Sequence, residues 1–221
     1  MNKITLSDWD SVHHWLDDCG VNIPPTLIHE VNTNKYPKDA FSIGQLVSKA
    51  WLLHTLANTS IQSYQTWAIL GCWVGALVPL LHRAIPIDRI YGFDMDPKSI
   101  ELAEYLNRQY LPGWKFKGIV ADVNELNCQN MEFITEGELI SVKPYAIINT
   151  SCEHMNNDWF DSVGDDQLII MQTNNSDEYD DHINTCSSVE DMQERYPLKR
   201  TMYAGELKIP VYSRYMQIGY K

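Results

Sequence analysis

The spacing of apolar residues along the chain changes character near residue 65. Before that point, "DWDSVHHWLDD" and "FSIGQLVSKAWLLHTLAN" repeat their apolar residues with the 3.6-residue period of amphipathic helices. We expect Gly20 to end the first helix, and Pro24 and Pro25 to break the segment that follows. The pattern therefore predicts a helical N-terminal cap over residues 1–60.

From Trp67 onward, short apolar runs alternate with amphipathic segments. The runs "TWAIL", "RIYGFD", "YAIINT" and "QLIIMQT" have the length of buried strands, whereas "PKSIELAEYLNRQY" and "SSVEDMQERY" have helical periodicity. This alternation predicts a parallel sheet with helices on both faces. Too few residues separate "RTMYAGEL" from "YSRYMQIGY" for a helical crossover, so this last pair is predicted to be antiparallel. We predict an α/β domain over residues 61–221.

Composition narrows the possible functions. Seventeen basic residues against twenty-nine acidic ones give a net charge of −12, which argues against a nucleic-acid partner because such partners require a basic surface. The first residues do not have the features of a signal peptide, and no apolar run approaches the ~20 residues of a membrane helix. We therefore expect a cytoplasmic protein that does not contact a membrane. The five cysteines form no CxxC pair and are expected to be free thiols.

The stretch "AILGCWVGALVPLL" has the pattern of a strand, a glycine turn and a helix. Gly71 and Gly75 would let a ligand approach the backbone, and the helix that follows offers free N–H groups. Packing alone also produces this pattern, so the turn is either a cofactor loop or a buried connection. Trp73 stands where a third glycine is usual, and its indole either shapes a ligand pocket or packs against the N-terminal helices.

Two later strands end in a carboxylate. Asp94 follows Gly71 by 23 residues, the distance at which an acid at the tip of the second strand binds ribose hydroxyls. Asp96 is expected to cap the next helix, which leaves Asp94 available for a ligand. Asp122 ends another strand beside Val123, where a carboxylate and an apolar side chain would meet an adenine ring.

The fourth strand, in "YAIINTSCEHM", brings a run of polar and reactive residues, from Asn149 to His154, to the same sheet edge. His154 is the first candidate for a general base because its ordinary pKa lies near neutrality, and Glu153 is its expected orienting partner. A nucleophilic Cys152 is an open alternative. We expect no metal, because adjacent residues rarely converge on one ion and no fourth ligand is evident.

The polar segment "QTNNSDEYDDHINTC" follows the fifth strand and is predicted to be a substrate-side loop. Its candidate contacts are Asn174, Asn175, Tyr179 and His182, although a solvated loop is the favoured interpretation for most of these residues.

Together, and in this order, these elements resemble the class I S-adenosylmethionine-dependent methyltransferases over residues 65–221. The resemblance rests on "LGCWVG", "GFDMDP", "ADV" and "NTSCEH". It implies a Rossmann-like doubly wound sheet with six parallel strands and an antiparallel seventh, and S-adenosylmethionine as cofactor. It also implies contacts of Gly71, Cys72, Trp73 and Gly75 with the methionine moiety, of Asp94 with the ribose, of Met95, Asp122 and Val123 with the adenine, and of Asn149 near the sulfonium.

The resemblance leaves the reaction open. That family often has an acid where this chain has Ile69, and this departure, with Trp73, suggests an unusual geometry around the sulfur. Methyl transfer to a small-molecule acceptor is the favoured function. The alternatives are cyclisation of the cofactor to azetidine-2-carboxylate or aminocarboxypropyl transfer, both of which release methylthioadenosine, and cofactor binding without catalysis. The N-terminal helices are expected to cover the cleft, the oligomeric state is left open, and the candidate catalytic residues are Asn149, Glu153, His154 and Tyr179.

Overall fold

The computed structural model describes residues 2–19, 35–61 and 64–221. The expectations for Gly20, Pro24 and Pro25 lie outside these residues. Eight strands form the main sheet, in the order β1-β9-β10-β8-β7-β2-β3-β4, and β5 pairs with β6 in a separate hairpin. The strands are β1 (Asn2–Thr5), β2 (Thr66–Leu70), β3 (Arg89–Asp94), β4 (Phe116–Val120), β5 (Met131–Thr135), β6 (Glu138–Val142), β7 (Ala146–Asn149), β8 (Leu168–Asn174), β9 (Arg200–Lys208) and β10 (Ser213–Tyr220).

The strand directions confirm the predicted sheet. Strands β4, β3, β2, β7 and β8 are parallel to one another, and β10 runs antiparallel to both β8 and β9. The register aligns Leu70 with Phe93 on one side and with Asn149 on the other, so these strands end at the same level. Strand β1, which the sequence pattern did not predict, adds to the edge by pairing in parallel with β9.

The helices begin where polar side chains cap their free N–H groups. Asp96 accepts hydrogen bonds from the N–H groups of Lys98 and Ser99 at 3.0 and 3.1 Å, so it is a helix cap, as predicted. Asp8 caps the first helix by accepting from the N–H of Ser11. The helices are α1 (Trp9–Asp18), α2 (Ile43–Ala57), α3 (Val78–Ala84), α4 (Pro97–Leu106), α5 (Asp158–Asp161) and α6 (Val189–Arg195).

Helix α2 is packed into the main core. The side chains of Trp51 and Leu52 are fully buried in the same apolar cluster as β2 and β10, and burial of such side chains stabilises the fold by about 1.5–3 kcal/mol each. Ser48 also forms a reciprocal pair with Gln172 of β8. Its hydroxyl donates to Oε1 at 2.6 Å, and the Gln172 amide donates to the Ser48 carbonyl at 3.1 Å. The helix is therefore held on the sheet by apolar and polar contacts.

The connection from β4 to β7 carries the β5–β6 hairpin, which the sequence pattern did not predict. Phe133 of β5 packs edge-on against Tyr91 and Phe93 of β3, with ring centroids 5.1 and 5.4 Å apart. The hairpin thereby covers the face of the sheet opposite α2. Among the helices that the structure describes, none has the length and apolarity needed to cross a bilayer.

Candidate active site

A cavity of about 780 Å³ lies at the sheet edge where β2, β3, β4 and β7 end. This volume falls within the roughly 300–1,000 Å³ that small-molecule sites have. Gly75 and Asn149 do not line it. The predicted site residues that do line it are Gly71, Cys72, Trp73, Asp94, Met95, Asp122, Val123, Glu153, His154, Asn174, Tyr179 and His182.

The glycine turn has a backbone that only selected residues adopt readily. Gly71, Trp73 and Gly75 have φ values of 60°, 48° and 69°, all in the left-handed region. A side chain at Gly75 would bring its Cβ within 2.7 Å of the Asn107 amide nitrogen and 3.0 Å of Ala103 Cβ. The absence of a side chain at Gly75 therefore lets the end of α4 pack closely against the turn. Trp73 lines the cavity and is also packed against the main core cluster.

The Asp94 carboxylate joins the end of β3 to this turn. Its Oδ2 accepts the N–H of Trp73 at 2.8 Å, and its Oδ1 accepts the N–H of Asp96 at 3.0 Å. Burial raises the pKa of Asp94 above its ordinary value, while these two hydrogen bonds act in the opposite direction. A carboxylate accepts about four hydrogen bonds, so two acceptor positions remain for a vicinal diol.

The end of β4 contributes a second acid to the same wall. Asp122 caps a short 3-10 turn and accepts hydrogen bonds from the backbone and side-chain nitrogens of Asn124 at 2.9 and 3.1 Å. Val123 is buried beside it, and Met95, at the rim, is 72% exposed. We call Gly71, Trp73, Asp94 and Asp122 the glycine-turn side of the cavity. It combines hydrogen-bond acceptors with an apolar surface, as an adenosine requires.

Asn149 is fully buried and shapes the chain after β7. Its Oδ1 accepts the N–H of Ser151 at 3.0 Å, and its amide nitrogen lies 3.3 Å from the sulfur of Met155. These contacts give Asn149 a part in forming the turn that carries the following residues to the cavity. They do not give its side chain a position in the cavity wall.

Glu153 is a buried residue of the cavity wall. Its Oε1 accepts the amide of Asn174 at 2.6 Å and lies 3.5 Å from the guanidinium of Arg214. Its Oε2 is buried and has no hydrogen-bond partner among the described residues. Asn174 therefore both lines the cavity and holds Glu153, whereas Asn175 accepts the backbone N–H of Ser213 outside the cavity.

His154 is oriented by Asp181 and not by Glu153, contrary to the sequence expectation. Its Nδ1 lies 3.1 Å from Oδ2 of Asp181. The ring of His182 stands against it edge to face, with centroids 4.7 Å apart, and Tyr179 packs on His182 at 5.0 Å. The loop after β8 thus contributes Tyr179, Asp181 and His182 to the cavity as a connected group.

Two basic residues in this wall were missed by the sequence analysis. Lys49 of α2 is buried, and its Nζ donates to Oε1 of Gln45 at 2.6 Å. Burial, assisted by the charge of Arg214, lowers the pKa of Lys49 to about 7, while Asp39 acts in the opposite direction. The second basic residue is Arg214. Lys49 in "QLVSKAWLL" and Arg214 in "YSRYMQIGY" each interrupt an apolar run with a charge, and this irregularity could have identified them from the sequence. We call Lys49, Glu153, His154, His182 and Arg214 the histidine side.

Neither cysteine near the cavity has the properties of a nucleophile. Burial raises the pKa of Cys72 and of Cys152 well above the ordinary value, and nearby carboxylates reinforce the shift. Because the thiolate is the reactive form, these environments keep both sulfurs as inert thiols. The alternative of Cys152 as a nucleophile is therefore not supported.

The chain has the fold of class I S-adenosylmethionine-dependent methyltransferases. It superposes on the N-methyltransferase NodS from Bradyrhizobium japonicum, in complex with S-adenosylhomocysteine, with a TM-score of 0.61, 9% identity, and coverage of 87% of this chain and 96% of that one. A methyltransferase of Podospora anserina, also bound to S-adenosylhomocysteine, gives 0.60 at 14% identity over 100% of both chains. Geranyl diphosphate C-methyltransferase from Streptomyces coelicolor, in complex with magnesium, geranyl diphosphate and S-adenosylhomocysteine, gives 0.59 at 11% identity, with 80% and 81% covered.

Sequence comparison adds no closer assignment, because neither a family model nor a curated protein matches this chain. The identities of 9–14% relate the proteins by fold. The predicted fold class is therefore confirmed, and the three neighbours are each bound to S-adenosylhomocysteine in their structures.

Proposed function

We propose that this protein is an S-adenosylmethionine-dependent methyltransferase that acts on a small molecule. One observation carries the proposal: the Asp94 carboxylate is fixed to the glycine turn by the N–H of Trp73, inside a cavity of a methyltransferase fold. The family that the chain resembles often has an acid at the position of Ile69, and the carboxylate that the structure shows bonded to the turn is that of Asp94.

The glycine-turn side fits the cofactor. Asp94 retains acceptor positions for the ribose hydroxyls, and Asp122, Val123 and Met95 surround the place for an adenine ring. Trp73 presents an aromatic surface to the cavity, and such surfaces attract a cationic sulfur by about 0.5–2 kcal/mol. When bound, S-adenosylmethionine supplies a methyl group activated by its sulfonium centre.

The histidine side would hold the acceptor. In methyl transfer a protein acts mainly by aligning the nucleophile with the methyl–sulfur bond. Because Asp181 engages Nδ1 of His154, Nε2 is left to accept a proton from an acceptor that must lose one. Glu153 and Tyr179 would position the acceptor. The charge of −12 and the enclosed volume of the cavity favour a small molecule over a nucleic acid.

The test uses S-adenosylmethionine labelled with three deuterium atoms on its methyl group. The protein is incubated with this cofactor and a cell extract that has been separated by ultrafiltration into small-molecule and macromolecular fractions. Mass spectrometry should detect S-adenosylhomocysteine and a trideuteromethyl label in the small-molecule fraction. Label only in macromolecules would contradict the acceptor class. Methylthioadenosine formed without any extract would instead select the non-methyl use of the cofactor.

A further inference from the structure

Three potential metal ligands converge on the histidine side. Glu153, His154 and His182 each offer one ligand atom, and these atoms lie within 4.8 Å of one another. Glu153 and His154 come from the 3-10 turn after β7, and His182 comes from the loop after β8. All three line the cavity, so the convergence is produced by the fold and not by adjacency in sequence alone.

Both imidazoles are arranged to present Nε2 as a lone pair. Nδ1 of His182 lies 2.6 Å from the carbonyl oxygen of Ser176, and because a carbonyl only accepts, this Nδ1 carries the proton. Nδ1 of His154 faces the carboxylate of Asp181 at 3.1 Å in the same way. Histidines that bind metals have this arrangement, in which a carboxylate or a carbonyl fixes the tautomer and the ring orientation.

Glu153 provides the independent observation that points to a cation. The residue is 2% exposed, and its Oε2 is buried without a hydrogen-bond partner among the described residues. A buried carboxylate oxygen without a hydrogen bond is costly, and the contacts of Glu153 with Asn174 and Arg214 are both made at Oε1. A cation bound at Oε2 would remove that cost.

We propose that Glu153, His154 and His182 bind a divalent transition-metal ion at this end of the cavity. Two imidazoles and one carboxylate suit zinc, iron or nickel and not magnesium or calcium, which prefer oxygen ligands. Ligand atoms about 2.1 Å from a zinc ion lie at most about 4.2 Å apart, so a pair of ligand atoms separated by 4.8 Å has to approach by roughly 0.6 Å or more. His154 is exposed, and its movement can provide this change.

The metal would change how the acceptor is activated, a consequence that rests on the proposed function. An ion with three protein ligands keeps positions open to the cavity, and a hydroxyl or carboxylate bound there is held in place. Coordination would lower the pKa of a bound hydroxyl, so that its proton could pass to solvent water and no strong general base would be needed. His154 is then a ligand, because its Nε2 cannot bind the ion and accept the proton at the same time.

The binding test uses the full-length protein without cofactor, after dialysis against a chelator. Calorimetric titration with Zn²⁺ should give one ion per chain, and Co²⁺ should produce visible absorption bands from its coordination to the protein. His182→Ala and His154→Ala should each weaken Zn²⁺ binding more than tenfold and remove the Co²⁺ bands. His54→Ala, which changes an exposed histidine of α2, is the matched control and should bind as the wild type does.

The Asp181→Asn variant keeps all three proposed ligands and changes only the residue that orients His154. It therefore separates the orientation of a ligand from the binding of the ion itself. It should weaken Zn²⁺ binding by about tenfold, the scale on which partners of ligating histidines act. Absence of Zn²⁺ binding by the wild type, or equal binding by the His182→Ala variant with an unchanged circular dichroism spectrum, would overturn the metal site. Since S-adenosylmethionine binding is measured separately, failure of the metal site and failure of the proposed function are distinguishable.

Discussion

The two sides of the cavity are built in different ways. On the glycine-turn side, each residue lies at the end of a strand or within three residues after it, and the Asp94 carboxylate is held by backbone N–H groups such as that of Trp73. On the histidine side, side chains hold one another, and they come from positions as distant as Lys49 and Arg214. The first side depends on where the strands of the sheet end, whereas the second depends on contacts between side chains from separate parts of the chain. We expect the first to fix the cofactor and the second to select the acceptor.

The largest effect is expected for Gly75→Ala, which tests whether the glycine-turn side depends on the backbone. The new Cβ would lie 2.7 Å from the Asn107 amide and occupy a φ of 69°, so we expect a loss of about 3 kcal/mol in the free energy of unfolding, measured in urea. Gly137→Ala is the control, since its φ is 81° but nothing lies within 4 Å. It should lose about 1 kcal/mol. Equal losses of stability in the two variants would show that the positive φ, and not the close contacts of the new Cβ, causes the effect.

Asp94→Asn should weaken S-adenosylmethionine binding by roughly 10–100-fold, or about 1.4–2.8 kcal/mol. Asparagine has a single side-chain oxygen, so when this oxygen accepts the N–H of Trp73 or of Asp96, its NH₂ group faces the other N–H. The substitution also removes the negative charge that would strengthen the ribose contacts. Calorimetry measures the affinity, and Asp88→Asn on an exposed loop is the control. An unchanged affinity would remove Asp94 from the cofactor site.

The Lys49→Met variant tests whether the buried charge of Lys49, on the histidine side, makes the stability of the protein depend on pH. Below pH 7 the native and unfolded chains both carry the charge, so the cost of burying it is fully present. Between pH 7 and 10.5 the unfolded chain retains a proton that the native chain has released, and stability therefore rises with pH.

We therefore expect Lys49→Met to stabilise the protein more at pH 6 than at pH 9, with a difference of about 2 kcal/mol in the free energy of unfolding. Urea unfolding at the two pH values measures it. The exposed Lys98→Met variant reports the general effect of removing a positive charge. The same pH trend in both variants would show that burial of Lys49 is not its cause.

The smallest change in stability is expected for Trp73→Gly. Glycine relieves a φ of 48° but loses the packing of the indole, so the two effects oppose each other and the net change should stay below about 1 kcal/mol. Turnover, or the ratio of S-adenosylhomocysteine to methylthioadenosine, should change much more. Trp114→Gly has a similar φ of 54° outside the cavity and should alter stability without altering products.

The same contrast explains what could be predicted from the sequence. Gly71, Asp94 and Asp122 were found because strand periodicity places them at one sheet edge, which is a local property of the chain. Asp181 was not predicted as the partner of His154, because it lies on a loop whose path depends on tertiary contacts. Strand β1 was missed because four residues pairing with β9, about 200 positions away, leave no periodic pattern.

The reciprocal Ser48–Gln172 pair bears on how ligands enter and leave. Swinging α2 outward would break two buried hydrogen bonds and expose Trp51, so this helix is unsuited to the gating motion expected of a cap. The rim of the cavity instead carries the exposed side chains of Met95 and Tyr179. The residence time of a bound molecule should therefore be governed by the loop after β8, the same loop that brings His182 to the site.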